Sequence, residues 1–201
     1  MQQVSVFDVA QALIDRSGSD RIETVKLQKL CFYAFGWYAH LTGEALFPET
    51  FYAMQKGPVV GELLSAHAGD RVLTRDQLLA QLAARESMPV EFSAYVEHLL
   101  DFVWQGYGAR TSWELVEATH EEQLWVDAWS GRRSGTRRGD LPQSDIIDFF
   151  RIKPRPTQDE SLPLSCVSQI DEIDLAEAIR AGQAPHAPFV EALRVHCSQA
   201  S

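Results

Sequence analysis

The chain has 201 residues, 45% of them hydrophobic and 10% aromatic, which is enough apolar side chain to bury a core and too much for a disordered chain. A net charge of −10 argues against a broad nucleic-acid surface, which needs clustered Lys and Arg, and suits a basic protein partner. Cys31, Cys166 and Cys197 lie far apart with no C-x-x-C pair, so neither a disulfide framework nor a zinc knuckle is indicated.

The N-terminal stretch "MQQVSVFDVAQALIDRSG" lacks a basic start and a long apolar run, and no segment reaches the roughly 18 apolar residues of a membrane span. The expectation is a soluble, cytoplasmic protein without membrane contact. Val6, Val9, Ala10, Leu13 and Ile14 then recur at helical spacing behind Ser5, a cap residue. "RSGSDR" breaks that helix, and Thr24 precedes "VKLQKLCFYAFGWYAHLTG", the strongest helical signal in the chain. Leu27, Leu30, Cys31, Ala34, Tyr38 and Leu41 share one face, Phe32, Phe35 and Trp37 widen it, and Gly43 stands at the C-terminal cap, so this helix is expected to be central and buried on several sides.

Residues 51–54 read as a short extended segment, Gly57-Pro58 as a turn, and Pro58 as the first position of a further helix carrying Val59, Val60 and Leu63 inward. Thr74 caps "RDQLLAQLAARE", which ends at "SMP". From Glu91, the residues Phe92, Tyr95, Val96, Leu99, Leu100, Val103 and Trp104 mark a long helix that stops near Gly106 and Gly108, and Thr111 with Glu114 forms a capping box for a brief one. "SGRRSGTRRGD" reads as a mobile loop holding Arg132, Arg133, Arg137 and Arg138. A short helix over 145–151, a proline-punctuated linker and two modest helical patterns at 170–180 and 189–196 complete the chain. The fold class expected is mainly α: a compact helical domain with at most a short β element around residues 51–56.

"ATHEEQLWVDAW" (residues 118–129) raises the question of chemistry, because His120 is followed at once by Glu121 and Glu122. A zincin needs H-E-x-x-H, so that two histidines one turn apart face the metal, and here the fourth residue after His120 is Leu124. The remaining histidines (40, 67, 98, 186 and 196) have no ligand spacing. The structural reading is a helix start: Thr119 accepts the Glu122 N–H, the Glu122 carboxylate reaches back, and Trp125 and Trp129, four apart, anchor the helix. "MQKGPVVGELL" lacks the phosphate-loop pattern, there is no G-x-S-x-G elbow, and Cys31 among aromatics reads as an inert buried thiol. No catalytic residue, metal or cofactor is therefore expected, although residues scattered in sequence stay open, as does a small-molecule enzyme using His120, Glu121 and Glu122.

Three stretches taken together, "VKLQKLCFYAFGWYAHLTGEALF", "FYAMQKGPVVGELL" and "YGARTSWELVEATHEEQLWVDAW", resemble the Panacea-domain (SocA-like) antitoxin family of bacteria and phages. They match in order its Leu-x-Lys-Leu helix (Leu27, Lys29, Leu30), its Gly-Pro-Val turn (Gly57, Pro58) and its Thr-His-x-x-x-x-Trp segment (Thr119, His120, Trp125). Family members commonly carry proline before that tryptophan, where this chain has Leu124. The resemblance covers residues 5–129 and implies a helical domain over 1–153, followed at 154–201 by a variable linker and helical segment packed on the same domain. It also implies an antitoxin that neutralises a toxin, encoded beside it, by direct contact; the alternative within the family is an adaptor that hands the toxin to an ATP-dependent protease. No nucleic-acid partner is expected. Leu27, Leu30, Tyr33, Trp37, Trp125 and Trp129 are the expected core, and Lys56, Gly57, Pro58, Arg132, Arg133, Arg137 and Arg138 the candidate partner contacts.

Overall fold

Helix α1 (Val6–Arg16) begins where the sequence places its cap: the Ser5 hydroxyl accepts the Asp8 N–H at 3.3 Å, and the Asp8 carboxylate accepts the Ser5 N–H at 2.9 Å. The structure, a computed structural model, describes residues 4–85, 90–154, 162, 163 and 165. Strand β1 (Arg21–Glu23) follows, then α2 (Thr24–Thr42), whose 19 residues end at Gly43 with φ 73°. Helix α2 is the axis of the molecule. Its burial runs almost unbroken from Leu27 to Trp37, and Leu27, Leu30, Tyr33 and Trp37 are all at most 2% exposed.

The other elements are arranged around α2. Strands β2 (Phe51–Met54) and β3 (Gly57–Val60) form a hairpin, followed by α3 (Gly61–Ala66), β4 (Val72–Thr74), α4 (Arg75–Ala84) and α5 (Ala94–Tyr107). Helices α6 (Ser112–His120) and α7 (Gln123–Ser130), strand β5 (Arg138–Leu141) and α8 (Gln143–Arg151) complete the described residues. Helices α1, α5, α6 and α8 pack directly on α2. β1 pairs antiparallel with β4, and a second antiparallel sheet has the order β3-β2-β5. The fold is thus mainly α with short strands. The extended element expected near 51–56 is β2, and among the described residues four further strands accompany it.

Aromatic side chains tie α2 to its neighbours. Phe32 meets Phe51 and Phe150 edge-on, and Tyr33 stacks on Tyr107 with centroids 4.1 Å apart. The Trp37 indole donates to the Tyr107 hydroxyl at 3.0 Å, so a polar atom carried inward with the ring is satisfied there.

Four local expectations are corrected. Pro58 does not open a helix; it lies in β3, opposite Ala53, and the helix starts at Gly61. β3 is an edge strand, where a residue without an N–H costs no ladder bond. Thr119 does not cap α7. It sits buried in the last turn of α6 and donates to the Val116 carbonyl at 2.9 Å, while α7 starts at Gln123 without a side-chain cap because Glu122 is drawn to Lys153 at 2.6 Å. The basic segment is not loop throughout, since residues 138–141 fill the open edge of β2 as β5. The long helix begins at Ala94 behind the cap Ser93, not at Glu91. The expected stop at 87–89 and the helical patterns at 170–180 and 189–196 lie outside the described residues.

Gly36 lets α8 lie against α2. A Cβ there would stand 2.3–2.5 Å from three ring atoms of Phe150, itself fully buried. Gly36→Ala is expected to lower stability by about 1–3 kcal/mol, the usual cost of overpacking, despite alanine's better helix propensity. Urea unfolding followed by tryptophan fluorescence measures it, and an unchanged midpoint would contradict the close approach.

Candidate functional site

The residues around Lys29 come from four elements. Lys29 belongs to the buried face of α2 and is 1% exposed. Its ammonium nitrogen donates to the Pro58 carbonyl in β3 at 2.7 Å and has no ion pair among the described residues. Burial, and next the charge of Lys56, lower its pKa from 10.5 to about 7. Its neighbour Gln28 joins the same helix to the hairpin: the side-chain oxygen accepts the Val60 N–H at 2.8 Å, occupying a donor of the edge strand.

Gly57 lies where these elements meet. Its φ of +94° is a conformation that side chains rarely adopt, and a Cβ would stand 2.4 Å from the Thr119 hydroxyl and 2.8 Å from Lys29 Cε. From α6 and α7, the His120 ring stacks on Trp125 with centroids 3.9 Å apart, and the Trp125 indole donates to the Met54 carbonyl at 3.0 Å. His120 Nε2 is buried without a hydrogen-bond partner among the described residues, and burial first, then Lys29, lower its pKa. The residues of the three family-like stretches, Lys29, Gly57, Pro58, Thr119, His120 and Trp125, thus meet at one place.

His120, Glu121 and Glu122 do not converge. His120 stacks on Trp125, Glu121 is exposed at the end of α6, and Glu122 is held by Lys153. Among the described residues no group of three or more His, Cys, Asp or Glu side chains is placed to hold a metal ion. Cys31 is buried, and burial pushes its thiol well above the usual range.

The proposed contact residues are dispersed. Lys56 is exposed in the hairpin turn, but Gly57 and Pro58 beside it are buried, so the turn displays its lysine and hides the residues that shape it. Arg132 lies over Trp129 at 3.6 Å and Arg138 over Tyr52 at 4.3 Å, so both guanidinium groups stack on the protein's own rings. Arg133 and Arg137 are exposed and line, with them, a concavity of about 710 Å³. Trp129, expected in the core, is half-buried and stacks on Trp125 at 6.1 Å.

The positions the sequence did not indicate are Gln28, His67 and Trp113. A groove of about 630 Å³ runs between β1, β4, the start of α6 and Lys56. Trp113 is 65% exposed on its wall and Val72 is 38% exposed; they are two of the four exposed large hydrophobic residues described. The only sequence signal for Trp113 was its place immediately after the helix start at Ser112, outside the inward face marked by Leu115 and Val116.

Residues 27–126 match the family model described as antitoxin SocA-like, Panacea domain. The chain belongs to the Panacea-domain family. The matched span holds Lys29, Gly57, Pro58, Thr119, His120 and Trp125, and it ends before Trp129 and the four arginines. The family's name indicates an antitoxin-like domain. No curated protein and no solved structure matches the chain. Among the described residues of this Panacea-domain chain, no helix is long and apolar enough to cross a membrane.

Two predictions follow from the Lys29 environment. The folded pKa of about 7 lies below the unfolded 10.5, so above pH 7 the unfolded chain keeps a proton that the folded chain releases. Stability gains from this group as pH rises, and the full cost of burying its charge is present below pH 7. Between about pH 7.5 and 8.5 the wild type is expected to gain up to about 1.4 kcal/mol per pH unit relative to Lys29→Met, which carries the same cysteines. Urea unfolding of both proteins across that range measures the difference, and parallel profiles would refute it. Gly57→Ala combines a strained φ with a clash against Thr119, so its urea midpoint is expected to fall by more than that of an alanine substitution at exposed Gly106, which meets nothing within 4 Å.

Proposed function

We propose that this chain is the antitoxin of a toxin–antitoxin pair and neutralises its toxin by direct binding. Family membership supports the class of function, and the observation that carries the mode of action is the groove beside Trp113. A tryptophan left 65% exposed at a groove wall, with Val72 next to it, loses the hydration of its apolar surface only when a partner covers it. Its indole N–H is already satisfied by the Glu117 carboxylate at 2.9 Å, so the ring face is the unfilled part. The chain's net charge of −10 favours a basic toxin by long-range attraction, with apolar contact in the groove setting the residence time.

The test is co-expression with the product of the adjacent gene, scored by growth rescue and co-purification. Trp113→Ala is expected to weaken toxin binding by about 30-fold or more, the loss of one hot-spot anchor, and to leave the circular dichroism spectrum unchanged. The Arg133→Ala/Arg137→Ala double variant is expected to bind within about threefold of the wild type. Full rescue by Trp113→Ala would move the interface elsewhere, and an absence of rescue and binding by the wild type would remove the antitoxin reading. An unchanged toxin half-life during rescue is the expected sign of blocking; a shortened one would instead indicate delivery to a protease.

A further inference from the structure

A second, smaller cavity of about 250 Å³ lies between α2, the β2–β3 hairpin and α3. Val25, Met54, Val59 and Leu64 make its sides apolar, Lys56 stands exposed at its mouth, and Thr24, Gln28, Lys29 and His67 are the buried polar residues that line it. Among the described residues neither aspartate nor glutamate lines it, in a chain whose acidic residues outnumber Lys and Arg, 28 to 18.

Lys29 and His67 have donors to spare. The Lys29 nitrogen donates to Pro58 alone and meets no carboxylate among the described residues. The state of His67 follows from Gln28: because the Gln28 oxygen accepts the Val60 N–H at 2.8 Å, the amide nitrogen is the atom 3.2 Å from His67 Nε2. An amide nitrogen only donates, so Nε2 accepts and the ring proton sits on Nδ1. Nδ1 is buried with no hydrogen-bond partner among the described residues, in a residue 6% exposed. A buried N–H without a partner is costly, and a buried amine with one bond to a carbonyl still has donors unused; an acceptor anion in the cavity would relieve the first and engage the second.

We propose that this cavity is a binding site for a carboxylate carrying a short aliphatic group, the carboxylate accepting from Lys29 and His67 and the aliphatic part lying against Val25, Val59 and Leu64. A carboxylate suits two buried donor groups in apolar surroundings. Phosphate brings more oxygens and more charge than these donors satisfy, and the apolar walls would leave the rest unsolvated. The carboxylate belongs either to a free small acid or to the C-terminus of a polypeptide, which share this chemistry.

Proton uptake is the signature of the site. Lys29 feels the charge of Lys56 from the hairpin and is coupled to His120 of α6, both of which disfavour a further positive charge, while burial lowers the pKa of His67 at the end of α3 and Asp70 acts on that ring in the opposite direction. Near pH 8 the lysine is largely neutral in the empty cavity, and a bound anion draws a proton onto it.

The experiment is calorimetric titration of the purified chain, without toxin, so its result is separate from that of the antitoxin reading. The probes are isovalerate, its neutral isostere isovaleramide, inorganic phosphate, and a hexapeptide ending in valine with a free or an amidated C-terminus. Isovalerate or the free-carboxylate peptide is expected to bind with uptake of up to one proton at pH 8, read from buffers of different ionisation enthalpy, and to weaken by about tenfold between pH 8 and pH 9. Preference for the peptide identifies a chain terminus as the ligand, and preference for isovalerate a free acid. Lys29→Met is expected to lose at least tenfold in affinity and all of the proton uptake; His67→Leu is expected to lose affinity while keeping the uptake, and it serves if the lysine variant does not fold. Equal binding of isovaleramide or phosphate, undiminished binding by the folded variants, or no heat from any carboxylate probe up to about 10 mM would overturn the assignment.

Discussion

The rest of the structure depends on burying α2 on nearly every side. A helix in that position must satisfy two conditions at once: apolar residues around its circumference, and a partner for every polar atom that goes in with them. Phe32, Tyr33, Phe35 and Trp37 meet the first by interlocking with Phe51, Tyr107, Phe47 and Phe150. Gln28 and Lys29 meet the second by bonding to β3, which makes the hairpin an extension of the helix's own polar accounting.

Those two bonds explain the form of the hairpin. β3 carries a proline and stands at a sheet edge, so part of its backbone would be left without partners if the helix did not supply them. With Pro58 and Val60 tied to α2, Gly57 is pressed against Thr119, and the chain there has room only for a residue without a side chain. α6 and α7 close the arrangement through the His120–Trp125 stack and the Trp125 bond to Met54. His120 is thus part of a joint between elements. Glu121 and Glu122, its neighbours in sequence, are directed elsewhere by their positions on either side of the break between two helices.

The same joint divides the molecule electrostatically. Acidic residues dominate the chain, yet the interior next to Lys29 holds donors without a carboxylate. Folding that keeps an amine in such a place lowers its affinity for protons instead of pairing it, and this links stability to pH near neutrality. The surface beside it has another character: Lys56 borders both the small cavity and the groove with Trp113, and that groove carries Glu23 and Asp70 as well as Lys56 and Arg71.

Local chemistry made much of this legible in the amino-acid order. The caps at Ser5, Thr74 and Thr111, the Gly43 stop and the buried stripe of α2 are written in residues a few positions apart, because a helix satisfies its backbone within its own turns. Lys29, Gly57, Pro58 and His120 were visible as members of three ordered stretches, although not the bonds among them. The strand identity of residues 57–60 and 138–141 was decided only in three dimensions, since a short strand's hydrogen bonds belong to whatever lies beside it. The two open faces of Thr119, one to a cap and one to its own helix, were likewise resolved by packing against Gly57. Sequence alone determined a helical protein built on one buried helix. The groove at Trp113 and the acid-free cavity at Lys29 and His67 exist only because tertiary contacts bring together residues that no local rule relates.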